Sequence, residues 1–229
     1  MKEINKTKTD TKARDAWQVM KIQSELINGF ETLSDLGKNV LIFGSARFNE
    51  DNTHCILAEE IGNKLSSNGY AVITGAGNCG IMRAANKGCK EGGSPSVGIG
   101  INLPFENGNN NYIDRDKNIQ VNYFAVRNFL MLKYAYGIVV QAGGFGTLYE
   151  LFQSLTLQST LKMEKFPIIL VGSKYWTGLI QWMKTTLIEE GVISEKDLEL
   201  FRIVDTADEV VEKMNSYFEK YKREEDTNF

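Results

Sequence analysis

The stretch QAGGFGTLYE, residues 141–150, sets three glycines between an apolar run, GIVVQ (137–141), and a helical pattern near 147–162. That is where a strand hands the chain to a helix. A second turn of the same kind, TGAGNCGIM (74–82), follows YAVIT and leads into IMRAANKG. Two such turns imply a site that needs close backbone approach from two directions, because glycine has no Cβ to hold a ligand or another segment away.

Working outward from these turns, the same unit recurs along the chain. The apolar runs NVLIFG (39–44), YAVITG (70–75), SVGIGI (96–101), IQVNYF (119–124), GIVVQ (137–141), FPIILVG (166–172) and FRIVD (201–205) alternate with helical patterns near 53–68, 80–92, 125–135, 147–162, 175–190 and 207–221. Alternation of this sort predicts an α/β chain, a Rossmann-like doubly wound parallel sheet with helices on both faces. Nearly unbroken apolar strands fit a sheet covered on both sides. Ahead of the first strand, Val19, Ile22, Leu26, Phe30 and Leu33 recur at helical steps, predicting an N-terminal amphipathic helix from about Ala13 to Leu36. The chain reads as a single domain, 13–222, between a frayed tail (1–12) and a charged tail (223–229). The irregular stretch 103–118, LPFENGNNNYIDRDKN, is expected to rim a ligand crevice.

Composition narrows the function. With 229 residues, 42% of them hydrophobic, the chain can bury a sizeable core. A formal net charge of −3 gives no electrostatic footprint for a nucleic acid polymer or an anionic membrane, so a small-molecule partner is expected. Three cysteines without zinc-ligand spacing and an N-terminus without an apolar signal region point to a reducing, cytoplasmic setting, with no metal and no cofactor. No apolar run reaches the roughly 18 residues of a membrane span. The single histidine, His54, lies in an amphipathic pattern remote from both glycine turns, as a helix-surface or packing residue would.

In open parallel sheets ligands bind beyond the carboxyl ends of the strands, where both turns fall. The first, Gly75-Ala-Gly77-Asn-Cys-Gly80, matches G-x-G-x-x-G, but the next strand ends at Asn102 with no acidic residue to hold a dinucleotide ribose. In the second turn, Gly143, Gly144 and Gly146 free the backbone to curl around a phosphate, and Thr147 can add its hydroxyl at a helix N-terminus. Without a G-K-[ST] ending it is no Walker loop. Glu150 then stands one helical turn away, able to face the sugar of a bound nucleotide. The same four residues, Thr147 to Glu150, also spell a T-x-x-E capping box, in which the glutamate would merely close its own helix start.

The run GGFGTLYE (143–150) resembles the PGGxGTxxE signature of the LOG (Lonely Guy) family, nucleoside 5′-monophosphate phosphoribohydrolases once labelled lysine decarboxylases. FGSAR (43–47), TGAGNCGIMRAANKG (74–88), INLPFENGNNNYID (101–114), YFAVRNFLM (123–131) and FPIILVGSKYW (166–176) agree in order and spacing, so the resemblance covers about residues 27–180. It implies a Rossmann-like fold, a homodimer or an assembly of dimers, and hydrolysis of the bond between a base and ribose 5-phosphate, with AMP or N6-modified AMP as substrate. It further implies that Arg127 and Glu150 are the catalytic pair. Gly44, Ser45, Gly75, Asn78, Met82, Gly143, Gly144, Gly146 and Thr147 would line the substrate pocket, although Met82 suits the core as well as a base contact. Three departures stand out: Ala142 replaces the usual proline, Asn128 the usual lysine and Arg83 the usual glutamate. Arg83 is then a candidate to restore the positive charge missing at 128. The alternative on the same fold is a non-catalytic nucleotide or molybdenum-cofactor-type binding protein. A pyridoxal-phosphate decarboxylase is disfavoured, since no S-x-H-K-type lysine is present.

Overall fold

A computed structural model describes residues 8–103 and 108–220. Seven parallel strands form one sheet: β1 (Asn39–Phe43), β2 (Ala71–Thr74), β3 (Ser96–Ile101), β4 (Asn118–Val121), β5 (Ile138–Val140), β6 (Ile168–Val171) and β7 (Phe201–Val204). Their order is β4-β3-β2-β1-β5-β6-β7. The chain winds outward from β1 through β4, returns across the sheet and resumes at β5, so β1 and β5 flank the point where the winding reverses. Their register is Leu41↔Ile138, Ile42↔Val139 and Phe43↔Val140.

Every residue of β1, β2, β3, β5 and β6 is buried, which explains why these strands read as apolar runs without alternation. Successive side chains point to opposite faces, and each face has its own core. On one side Leu41, Phe43, Ile99 and Val140 meet α1 (Lys8–Leu33), α4 (Phe124–Tyr134), α5 (Phe145–Ser159) and α6 (Ser173–Trp182). On the other, Val40, Ile42, Val72 and Val139 meet α2 (Thr53–Ser67), α3 (Gly80–Gly92) and α7 (Ala207–Lys220). Each fully buried Val, Ile or Leu side chain contributes roughly 1.5–3 kcal/mol. The expected α/β fold, doubly wound with an N-terminal helix, is what forms.

Local chemistry sets the element ends. Asn52 caps α2 by accepting the His54 N–H at 2.9 Å, and Gly93, at φ 91°, lets the chain leave α3 in the left-handed conformation. Buried Asn39 ties β1 to α4, donating from Nδ2 to the Tyr134 carbonyl at 2.8 Å. Some details differ from the sequence reading. The N-terminal helix starts earlier and ends at Leu33; Ile22, Leu26, Phe30 and Leu33 pack on the core, whereas Val19 stays 62% exposed alongside Trp17 and Met20. Beyond Trp182 the helix widens into a π-helical segment, Met183–Ile188, and a 3₁₀ helix, Glu195–Leu200, precedes β7. Among the described residues no helix is long and apolar enough to cross a membrane.

Candidate active site

A cleft of about 530 Å³ opens beyond the carboxyl ends of β1, β2, β3 and β5, against the winding reversal. Of the residues singled out in the sequence, Gly44, Ser45, Gly75, Met82, Arg127, Gly144, Gly146, Thr147 and Glu150 line it. Asn78 is exposed and lies off the cleft wall, and Gly143 sits behind it.

At its floor, Arg127 Nη1 stands 3.4 Å from Glu150 Oε1, with the two side chains 10% and 11% exposed. The guanidinium is fixed from behind by Nε donating to the Ile99 carbonyl at 2.9 Å. Burial pushes the Glu150 carboxyl from its ordinary 4.5 up to about 7, against the pull of Arg127 toward the charged form. A carboxyl near 7 is poised both to take and to give a proton at neutral pH.

The two glycine turns supply different things. In the first, the space beside Gly75 is filled by Arg127: a Cβ there would lie 1.8 Å from Nη2. Gly77 leaves room for the Met82 methyl, and Gly80, at φ 63°, lets α3 begin against the Ser45 carbonyl, which accepts the Ile81 N–H at 3.0 Å. Asn110 closes this turn from outside, its N–H bonding the Ala76 carbonyl at 3.0 Å and its Nδ2 the Asn86 Oδ1 at 3.0 Å. From 103–118, then, only Leu103 of the described residues lines the cleft, while 108–118 buttresses the first turn; residues 104–107 of the expected rim lie outside the described residues.

The second turn is arranged in reverse. Helix α5 starts at Phe145, with Gly144 as its cap residue, and the first helical bond runs from Leu148 N–H to the Gly144 carbonyl at 3.0 Å. Thr147 therefore lies inside the first turn and is not the cap. The T-x-x-E capping box does not form, and Glu150 is directed to Arg127 instead. Among the described residues no backbone acceptor meets the N–H groups of Phe145, Gly146 and Thr147, so the positive end of α5 opens on the cleft. A Cβ on Gly144 or Gly146 would meet nothing within 4 Å. Behind them Gly143 is held in place: its Cβ position abuts Thr147 Oγ1 at 2.1 Å, and its carbonyl accepts from the Tyr175 hydroxyl at 2.5 Å.

Sequence reasoning missed Arg47, Ile101, Phe124, Phe145 and Leu148, all on the cleft wall. Arg47 had a signal, since it ends the FGSAR run directly after β1. Arg83 does not restore charge to the cleft: it pairs with Glu50 and lies over the Tyr112 ring at 5.0 Å. His54 stacks on Phe48 at 5.1 Å, away from the cleft. Among the described residues no cluster of three or more His, Cys, Asp or Glu side chains could hold a metal ion.

Comparison with known proteins places this geometry. The profile of the family described as "Possible lysine decarboxylase" matches residues 82–214, more than half of the chain and including Arg127 and the whole 143–150 turn. The chain belongs to this family, the LOG family. One relative is the Arabidopsis thaliana protein named cytokinin riboside 5′-monophosphate phosphoribohydrolase LOG3, 25% identical over 186 residues, covering 79% of this chain and 83% of that protein. Another is a bifunctional cytokinin biosynthesis protein of Fusarium pseudograminearum, 25% identical over 190 residues; these are 75% of this chain but only 39% of that longer protein. Among solved structures, the molybdenum cofactor binding protein of Rippkaea orientalis superposes with a TM-score of 0.58 at 20% identity, covering 80% of this chain and 98% of the other. The Moco carrier protein of Chlamydomonas reinhardtii gives 0.55 at 19% identity, with 80% and 99% covered. At such identities the likeness shows the fold alone.

Proposed function

We propose that this LOG-family chain hydrolyses the N-glycosidic bond of nucleoside 5′-monophosphates, AMP or N6-modified AMP, releasing the free base and ribose 5-phosphate. The observation that carries the reading is the placement of Glu150, paired with Arg127, beside three open amides at the start of α5. An anion bound by those amides fixes the 5′-phosphate, and the ribose then extends toward the carboxylate. Breaking the bond between C1′ and the base nitrogen sends its electron pair to the base and builds positive charge on the sugar, as in glycoside hydrolysis. Ionised Glu150 stabilises that charge and takes one proton from the water whose oxygen bonds to C1′. The proton then passes to the departing nitrogen, so the net change is addition of one water. Arg127 holds the carboxylate in place, and Arg47 at the cleft mouth adds positive charge for the phosphate. Met82, Ile101, Leu103 and Phe124 give the base an apolar wall.

A homodimer or an assembly of dimers in a cytoplasmic setting belongs to the same proposal. Exposed Phe145, Tyr149 and Leu161 on and after α5 support an interface there, and Cys55, Cys79 and Cys89 are free thiols. Leu151 and Leu155 cover the chain's own core, so such an interface would use the outward face of α5.

The test is base release from a panel of nucleoside 5′-monophosphates and the matching nucleosides. Monophosphates should be cleaved and nucleosides spared, and Glu150→Gln should lower kcat/KM by about 10³-fold, within the range for loss of a positioned base. Tight binding of a monophosphate with no base released by the wild type would replace this reading with the binding-protein alternative.

A further inference from the structure

Glu150 has a second side, facing away from the cleft. There Phe43, Asn128, Met131, Leu132, Glu150 and Gln153 line a narrow void that has no room for a water molecule. Asn128 is 2% exposed. Its Nδ2 donates to Gln153 Oε1 at 2.7 Å, which fixes the amide plane, while its Oδ1 is buried with no hydrogen-bond partner. An orphaned amide oxygen in a dry pocket carries a desolvation penalty of about 1–3 kcal/mol. Water cannot relieve it here. Of the other groups around the void, Phe43, Met131 and Leu132 have no side-chain donor, and Gln153, which accepts from Asn128 Nδ2, returns no N–H bond to Oδ1. The group that can present an O–H to this oxygen is the Glu150 carboxyl in its neutral form.

We propose that Asn128 is a positioning residue whose amide oxygen accepts the O–H of neutral Glu150 across the void they share. The inference rests on the hydrolase reading for its purpose and on the geometry of the void for its existence. In the ionised state, Glu150 interacts with Arg127 on the cleft side; once it has taken a proton, the carboxyl gains a partner on the buried side. Asn128 thus stabilises the state formed when water is deprotonated and holds that proton until the departing base takes it. The charged groups around Glu150 are few: Arg127 comes from α4, Arg47 from the segment after β1, and among the described residues lining cleft or void Glu150 is the sole carboxylate. The direction of an Asn128 substitution is therefore simple to derive. Removing an acceptor for the neutral form favours the anion, and placing a second carboxylate nearby disfavours it.

The experiment is a carbon-13 NMR titration of glutamate carboxyl groups in the full chain, with the Glu150 signal assigned by its loss in Glu150→Gln. Asn128→Leu should move the Glu150 midpoint acidward by about 1 pH unit, and Asn128→Asp should move the midpoint of the coupled pair alkaline. Met131→Leu, which alters the same void without touching a polar atom, should leave it unmoved. A midpoint unchanged in both Asn128 variants, or displaced equally by Met131→Leu, overturns the proposal and reduces Asn128 to packing. Should Asn128→Leu fail to fold, Asn128→Ala decides: an acidward midpoint supports the proposal and an unmoved one overturns it. Because this titration requires no turnover, it stands even if no nucleoside monophosphate is cleaved, so the two readings fail separately. Where turnover is seen, the acid limb of kcat/KM should move with the NMR midpoint.

Discussion

The two glycine turns look alike in the sequence and do opposite work in the fold. At 75–80 each glycine makes room for another part of the protein: Gly75 for the Arg127 guanidinium, Gly77 for Met82, Gly80 for the Ser45 carbonyl. Nearby main-chain groups are taken up by Ser45 and Asn110. At 143–147 only Gly143 is used in that way, while Gly144 and Gly146 face open space beside three amides with no backbone acceptor among the described residues. The expectation of backbone approach from two directions is therefore half right. One turn positions the arginine, and the other leaves three amides open, where the proposed reading seats the phosphate. A glycine-rich turn at a strand end is evidence of close approach, and only the surroundings tell whether the visitor is a ligand or the protein itself.

The comparison can be broken most forcefully at Gly75. A Cβ 1.8 Å from Arg127 Nη2 must displace the guanidinium and with it the partner of Glu150. Gly75→Ala should lower kcat/KM by about 10²-fold or more, as misplacement near a reacting centre does, and destabilise the fold by about 1–3 kcal/mol through overpacking. Kinetics and chemical denaturation of the same preparation check both. Unchanged activity would mean that the first turn does not set Arg127.

Acid titration probes the carboxylate between the two turns. With Glu150 at about 7 and acting as a base, kcat/KM should fall roughly tenfold per pH unit below neutrality. Stability should run the other way. The folded value lies above the ordinary 4.5, so the contribution of neutral Glu150 is complete below about 4.5 and is lost as pH rises through 7, about 3 kcal/mol in all. Glu150→Gln should lack that slope, so its stability relative to wild type should climb between pH 5 and 8, as denaturant melts at several pH values would show.

The gentlest change, Gly146→Ala, sharpens the contrast. It sits in the first turn of α5 with open space before it, where alanine suits the helix better than glycine by up to about 1 kcal/mol. Thermal stability should hold or rise slightly while KM for a monophosphate rises about tenfold, one lost charge-assisted contact being worth about 1.5–3 kcal/mol. The same substitution at Gly77, against the Met82 methyl at 2.4 Å, should reverse the pattern and cost stability first.

How much of this was legible in the sequence follows from range. The strands could be read because burial on both faces leaves them apolar, and the helices because caps such as Asn52 and Gly93 act within a few residues. The start of α5 was misread for the same reason: T-x-x-E is a short-range signal, and nothing local says that Gly144 serves as the cap or that Glu150 meets an arginine 23 residues upstream. Arg47 and Phe124 escaped because their place on the cleft wall depends on how β1 and α4 converge at the winding reversal. The same holds for the orphaned oxygen of Asn128 and for the Ile81 N–H taken up by the Ser45 carbonyl. Both are set by contacts between segments far apart in the chain.

The most direct test of the difference between the two turns is an amide NMR titration with ribose 5-phosphate. The account predicts large shifts for the N–H groups of Phe145, Gly146 and Thr147, saturating together, with those of Gly75, Gly77 and Gly80 nearly still. Shifts concentrated at 75–80 with 145–147 unmoved would contradict it.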